Sequence, residues 1–412
     1  MLQEVSLGAR SLADYTHVVG KDLVAEIRDL AASLAGKRVL HVNATAFGGG
    51  VAEILYTLVP LMNDIGLDAH WQVMLGRDEF FDVTKQIHNT LQGDPREISD
   101  ADWATYERYN LLNAMGMDGE WDLIVIHDPQ PAMIRREAPD LAGSWMWRCH
   151  IDVSTPNPSS LARLLPYVNQ YDAAFFHIPE YVPPGLAETV DARIVPPAID
   201  PLSPKNMAFS VDDAAFIAQQ FGVDPDRPLL LQVSRFDPWK DPSGVIDAYR
   251  IVRREVPGVQ LALVGSMASD DPEGWEFYNA TVAHAEGDPE IKILSNLNNV
   301  GAIEVNAFQS LADVNIQKSL KEGFGLTVTE SMWKGRPTIG GAVGGIVSQI
   351  SDGETGFLVS SPQQCAERCI ELLADPELGR RLGRNGKEHA RRNFLTPRLL
   401  RDYVRLMADL AV

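Results

Sequence analysis

Short apolar runs alternate along the chain with stretches in which apolar residues recur every three or four positions. Runs of strand length bounded by turn residues predict buried parallel strands, and the stretches between them predict amphipathic helices. In the first half, strands are expected near Arg38–Asn43, Ala69–Met74, Leu123–His127, Trp145–Ile151, Ala173–His177 and Arg193–Val195. Helices fit Gly50–Ile65, Trp103–Met115 and Pro158–Val168. The alternation breaks between Val195 and Pro204, where Pro196, Pro197, Pro201 and Pro204 crowd the chain. Prolines at that density continue neither a sheet nor a helix, so this segment reads as a linker. A second series follows, with strands expected at Leu229–Ser234, Gln260–Val264, Ile291–Leu294, Val314–Gln317, Pro337–Gly340 and Thr355–Val359. Its helices fit Pro242–Val256, Gly274–His284, Ala302–Ser310, Leu326–Lys334 and Pro362–Ala374. A helix-rich segment of about 35 residues precedes the first strand, and further helices run from Pro376 to Val412. The expected fold is α/β: two doubly wound, Rossmann-like domains, residues 1–198 and 199–396, facing across a cleft. Ligands of such sheets bind beyond the carboxyl ends of strands, so motifs in strand-to-helix loops carry the most weight.

Charge narrows the partners. Of the 412 residues, 36 are basic and 56 acidic, a formal net charge of −20. Such a chain repels phosphate backbones, so nucleic acid is not an expected partner. Arg380 to Arg405 is locally basic and reads as the solvated face of C-terminal helices. No run approaches the ~18 apolar residues of a membrane span, and Met1 to Arg10 has no basic start followed by an apolar stretch. No membrane association and a cytoplasmic location are therefore expected. The three cysteines, Cys149, Cys365 and Cys369, fit a reducing compartment. Cys365 and Cys369 stand i,i+4 without a neighbouring His, a poor zinc pattern, and read as buried helix positions. No histidine spacing matches a metal motif, so no protein-bound metal is expected.

Three loops carry candidate chemistry. After the first strand, Gly48-Gly49-Gly50 opens a helix. Glycines let backbone N–H groups approach a phosphate or sugar, and a helix N-terminus favours negative charge. A plain tight turn explains the same residues, and the spacing is not a dinucleotide fingerprint. After the strand at Leu229, Arg235 and Lys240 stand five apart in one loop. They can converge on a diphosphate, or serve as ordinary surface salt-bridge partners. The third loop, Lys321-Glu322-Gly323-Phe324-Gly325-Leu326-Thr327-Val328-Thr329-Glu330, sets one carboxylate in a Gly-rich turn and another on the following helix. Free N–H groups of that helix's first turn suit phosphate oxygens, and Glu330 suits a pair of vicinal hydroxyls. Two glutamates eight apart mean nothing alone; the strand–turn–helix context gives them weight.

These residues carry a resemblance. The segment from Glu322 to Glu330 resembles the Glu–seven residues–Glu signature of retaining GT-B glycosyltransferases of family four. The Ser234-Arg235-Phe236…Lys240 loop resembles that family's diphosphate clamp, and Gly340 to Ile346 with Asp352 to Val359 matches its later pattern. In the first half, Asn43-Ala44-Thr45-Ala46-Phe47-Gly48-Gly49-Gly50-Val51-Ala52-Glu53 looks like the opening loop of trehalose glycosyltransferring synthases. Arg148-Cys149-His150-Ile151-Asp152 and Gln317 to Gly325 fit the same subgroup, and the likeness runs from about Tyr15 to the C-terminus.

The resemblance implies a reversible, retaining transfer of glucose from a nucleoside-diphosphate-glucose to free glucose, forming trehalose. It implies Arg235 and Lys240 on the leaving diphosphate, and Glu322 and His150 beside the transferred sugar. Gly49, Gly50 and the amides of Gly325, Leu326 and Thr327 would meet the donor, and Glu330 its ribose. Asp152, His127 and Asn43 would line the acceptor pocket. Residues 1–198 become the acceptor-binding domain, completed by a helix at about 397–412 that crosses back, and residues 199–396 the nucleotide-sugar domain. The donor is ADP-, UDP- or GDP-glucose, with Mg²⁺ as the metal a nucleotide can bring, and no cofactor is covalent. A homodimer is compatible. Related trehalose phosphorylases, which convert trehalose and phosphate to glucose and glucose 1-phosphate, share the motifs and stand as the alternative.

Overall fold

The computed structural model describes residues 2–47, 49–267 and 272–410. The chain divides into two units: residues 1–198 with 396–412, and residues 199–395.

Unit 1 holds a seven-stranded sheet of β1 (Gln3–Glu4), β2 (Arg38–Asn43), β3 (Asp68–Val73), β4 (Trp121–His127), β5 (Ala142–Arg148), β6 (Ala173–Phe176) and β7 (Asp191–Ile194). The order is β1-β3-β2-β4-β5-β6-β7, all parallel except β1 on β3. Strands such as β4, buried at six of seven positions, are covered on both faces, which is why they read as continuous apolar runs. After β2 the chain builds β3 on one side and β4 on the other. The topological switch point, the usual crevice for ligands, therefore lies beyond the carboxyl ends of β2 and β4.

Unit 2 is a six-stranded, all-parallel sheet of β8 (Leu229–Val233), β9 (Gln260–Gly265), β10 (Ile291–Ser295), β11 (Val314–Gln317), β12 (Thr338–Gly341) and β13 (Phe357–Val359). Its order, β10-β9-β8-β11-β12-β13, puts the switch point between β8 and β11. Topology alone thus places the Arg235–Lys240 loop beside the Glu322 loop. Cys365 and Cys369 are buried on the helix Pro362–Ala374.

The last helix, Thr396–Asp409, belongs to unit 1. It buries Leu399, Leu400, Tyr403, Val404 and Met407 and meets the helices Lys21–Ala31 and Gly50–Asp64. It also anchors the Pro-rich segment. Proline offers no N–H, so only carbonyls remain to bind. Buried Arg398 donates to Pro196 O and Pro197 O at 2.8 and 2.9 Å, and buried Arg148 donates to Val195 O at 2.5 Å.

Three features depart from expectation. β1 lies inside the stretch read as helical; two exposed residues give no alternation to read. The helices Asp78–Leu91 and Val211–Gln219 fill segments left unassigned. The strand expected to reach Ile151 ends at Arg148, so His150 follows the strand rather than ending it. Its backbone N–H turns aside to the Asp128 carboxylate at 2.7 Å, a side chain in place of the ladder.

Candidate functional site

In unit 2, the β8 loop is built around carboxylate caps. Asp237 accepts from Trp239 N–H and Lys240 N–H at 3.0 and 3.1 Å, closing the short helical turn Pro238–Lys240. Asp241, in the left-handed region at φ 51°, caps the next helix through Gly244 N–H at 3.0 Å. The turn aims Lys240 Nζ at Glu322 Oε2, 2.7 Å away, with both side chains largely buried. Ser319 Oγ donates to the same oxygen at 3.2 Å. Lys318, buried, pairs with Asp241. Arg235 is different: its side chain is 63% exposed and pairs with Asp237 at 3.1 Å.

Gly325 introduces the helix Leu326–Trp333 at φ 85°, a conformation that costs an L side chain roughly 1–2 kcal/mol. No side chain caps this helix. A Cβ at Gly325 would stand 3.1 Å from Glu322 Cγ, so the glycine also makes room for the glutamate. Thr327 Oγ1 donates to Gln317 Oε1 at 3.2 Å. The structure thus brings Lys240 and Glu322 into contact, with Gly325, Leu326 and Thr327 following Glu322 directly. Glu330 is placed differently from a ligand waiting in solvent. It is 1% exposed, its Oε2 accepts from Gln309 Nε2 at 3.2 Å, and its Oε1 lies 3.5 Å from Lys205 Nζ.

In unit 1, the helix Gly50–Asp64 begins at extended Gly49, also without a side-chain cap. Gly49 and Gly50 are exposed, while Gly48 lies outside the described residues. Asn43 is engaged structurally: it donates to Thr45 O and accepts from Trp71 Nε1, both at 2.7 Å. Asp152 folds its own loop, accepting from Ser154 N–H and Oγ–H at 2.9 and 2.6 Å. His127 and His150 meet at 3.0 Å, Nδ1 to Nε2. His41, on β2, joins them: its Nδ1 is 3.0 Å from His127 Nε2. Sequence reading did not single out His41, Lys318, Asp241 or Lys205. His41, Asp241 and Lys318 stood within the candidate loops without being given a role, and nothing local marked Lys205.

The histidines are strongly perturbed. Burial pushes His41 down to about 3, and burial also holds His127 and His150 well below the usual range. Burial acts oppositely on Asp128, raising its carboxyl to about 7. A histidine depressed in the fold binds its proton more readily unfolded, so acidification below pH 6.5 destabilises the native state. Asp128 has the reverse sign and resists this between about 7 and 3.8. Three imidazoles outweigh one carboxyl, so unit 1 should melt progressively lower as pH falls from 6.5 to 4.5. A melting temperature of unit 1 that stays flat or rises over that interval would contradict the neutral cluster.

Among the described residues, no group of three His, Cys, Asp or Glu side chains is placed to hold a metal, and no helix is long and apolar enough to cross a membrane.

Comparison with known proteins bears on these loops. Residues 41–183 match the family described as trehalose synthase, N-terminal domain, and residues 213–389 match glycosyl transferases group 1. The chain is 57% identical to a trehalose synthase of Rubrobacter xylanophilus, over 100% of this chain and 99% of that one. It is 46% identical to a trehalose synthase of Pyrococcus horikoshii, over 99% of each. A trehalose phosphorylase of Pleurotus pulmonarius is 25% identical over 92% of this chain and 58% of its own length. Among solved structures, a sucrose-phosphate synthase from Thermosynechococcus elongatus superimposes with a TM-score of 0.70 at 18% identity, covering 91% of this chain and 99% of that one. A UDP-forming trehalose-phosphate synthase from Burkholderia xenovorans, solved with glucose-6-phosphate, gives 0.71 at 14% identity, covering 92% and 100%. At such identities the structures speak for the fold, two parallel-sheet domains of the GT-B type, and the full-length relatives speak for the family. The chain belongs to the trehalose synthase family of GT-B glycosyltransferases.

Proposed function

We propose that the protein transfers glucose reversibly, with retention, between a nucleoside-diphosphate-glucose and free glucose, making or breaking trehalose. The observation that carries this reading is the convergence at the β8/β11 switch point of Lys240, Glu322 and an uncapped helix N-terminus behind Gly325. A departing diphosphate needs positive charge already in place, and fixed donors supply it without reorganisation. Lys240 is held there by Glu322, while exposed Arg235 is free to swing onto the phosphates. Leu326 and Thr327 N–H groups add the helix's partial positive charge.

A retaining enzyme with a carboxylate nucleophile needs a free carboxylate against the sugar. In unit 2 both signature glutamates are engaged, Glu322 by Lys240 and Glu330 by Lys205 and Gln309. That supports front-face substitution. The bond from the glucose anomeric carbon to the diphosphate oxygen breaks through an ion-pair-like state. The incoming glucose hydroxyl attacks from the same face and forms the new bond. Its proton passes to the departing diphosphate oxygen. His150 contacts the transferred sugar, Gly49 and Gly50 present amides to the donor, and His127, Asp152 and Asn43 shape the acceptor side. Asp152 and Asn43 do so partly by holding loops in place.

One observation favours the phosphorylase reading: Glu330, the ribose ligand of the first reading, is already buried among protein partners. The two separate cleanly. Incubating the protein with trehalose and ADP, and separately with trehalose and phosphate, should give a nucleoside-diphosphate-glucose from the first and no glucose 1-phosphate from the second. The reverse outcome establishes the phosphorylase. No product from either, with UDP and GDP also tried, sinks both.

A further inference from the structure

His41, His127 and His150 come from three neighbouring places on the first sheet: β2, the end of β4 and the turn after β5. They form one hydrogen-bonded chain that starts at a sulfur. Met62 Sδ lies 3.4 Å from His41 Nε2, His41 Nδ1 lies 3.0 Å from His127 Nε2, and His127 Nδ1 lies 3.0 Å from His150 Nε2. Met62 and His41 are completely buried and His127 is 1% exposed. Among the described residues no hydrogen bond reaches the remaining nitrogen, His150 Nδ1.

A neutral imidazole carries one N–H and one lone pair. Each nitrogen–nitrogen hydrogen bond needs one of each, so the tautomers of the three rings are locked together. Two arrangements exist, one with every Nε2 protonated and one with every Nδ1 protonated. The chemistry at the buried end decides between them. A thioether sulfur can only accept. It satisfies a His41 N–H, whereas it would leave a lone pair facing a lone pair. His41 therefore carries its proton on Nε2, His127 does the same, and so does His150.

We infer that Met62 sets the tautomer of His150 through His41 and His127, so that His150 offers a bare Nδ1 lone pair as an acceptor for a sugar hydroxyl. Met62, His41 and His127 are then positioning residues, and the specificity they confer is for a ligand group that donates. The groups around the chain agree with neutral rings. Arg148 lies near His127 and His150, His177 packs edge-on at 5.6 Å from His150, and Tyr403 lies 6.1 Å from His41. Asp128 engages the His150 backbone rather than its ring. Burial keeps all three imidazoles below their usual range, so no ring is a double donor at neutral pH.

The role of the tautomer in sugar binding rests on the glucosyl-transfer reading; the tautomer itself does not. Nitrogen NMR of the full-length protein labelled with ¹⁵N-histidine, without ligand at neutral pH, reads it directly. Expected is a protonated Nε2 and a bare Nδ1 at His41, His127 and His150, with single-site variants giving the assignments. A protonated Nδ1 at His150, or an imidazolium in the chain, overturns the inference. The second arm is Met62→Leu, which keeps volume and removes the acceptor. It should show both tautomers at His150 and lose about five- to tenfold in kcat/KM for trehalose, the scale of one neutral hydrogen bond, with nucleotide KM unchanged. Lost activity with the wild-type tautomer intact would give Met62 a packing role and overturn the relay. The expected tautomers with no product from trehalose and any nucleoside diphosphate would count against the glucosyl-transfer reading alone.

Discussion

Replacing Arg235 or Lys240 by Ala should each lower turnover by about a hundredfold or more, the scale seen when one preorganised donor to a developing negative charge is lost. The two variants should part company in stability. Arg235 is mostly exposed and, among the described residues, pairs with Asp237, and surface pairs of that kind are worth about 0–1 kcal/mol. Its loss should leave the melting temperature where it was. Lys240 and Glu322 are largely buried against each other. Removing the ammonium takes the charged partner from the Glu322 carboxylate, which Ser319 Oγ also reaches. Breaking such a pair costs about 3 kcal/mol, somewhat less where water still reaches. The checks are steady-state kinetics with trehalose and ADP and a thermal melt of each variant. Near-normal turnover in both variants would remove the diphosphate clamp from the mechanism. A lost rate and an unchanged melt in Lys240→Ala would mean that Glu322 finds another partner.

That contrast also marks how far the chain could be read before it folded. β8, buried at four of its five positions, and β11, buried throughout, are covered on both faces. Parallel strands of that kind announce themselves as unbroken apolar runs, so the two βα series were legible. The helix Asp78–Leu91, left unassigned, was legible by the same rule as the others: its buried Phe80, Val83, Ile87 and Leu91 recur every three or four positions. The Gly-rich loops and their charged residues were legible as motifs because strand, turn and helix follow within one short segment. Their pairing was not. Lys318 meets Asp241 across 77 positions, and Glu330 meets Lys205, just past the Pro-rich segment. No local pattern encodes which residues a switch point brings together. The histidine chain shows the same limit. His127 and His150 were noticed one at a time as strand-end residues, and His41 was passed over. Only the parallel register of β2, β4 and β5 sets the three side by side.

Glu330→Gln is expected to act twice, once on the ligand and once on the fold. On the ligand, losing charge-assisted hydrogen bonds to ribose hydroxyls should raise the nucleotide KM by about 10- to 100-fold. On the fold, Glu330 is the carboxylate beneath a small basic cluster. Lys205 Nζ reaches it at 3.5 Å. Lys334 Nζ donates to Lys205 O and Asn206 Oδ1 at 2.9 and 3.1 Å, pinning that segment to the helix that carries Glu330. Desolvation pushes Lys334 down to about 8, against the upward pull of Glu330. A lysine depressed in the fold binds its proton more readily unfolded, so between about 8 and 10.5 stability rises with pH. Without the carboxylate, Lys334 should fall further and the window should open at lower pH. Glu330→Gln should therefore melt well below the wild type at pH 7, by roughly 3 kcal/mol of stability, and the gap should narrow by pH 9. The combined outcome decides what Glu330 is for. A raised nucleotide KM together with the pH-dependent melt supports a ribose ligand that also secures Lys205 and Lys334. An altered melt with an unchanged nucleotide KM makes Glu330 a structural anchor, which is what a phosphate-dependent enzyme would require of it.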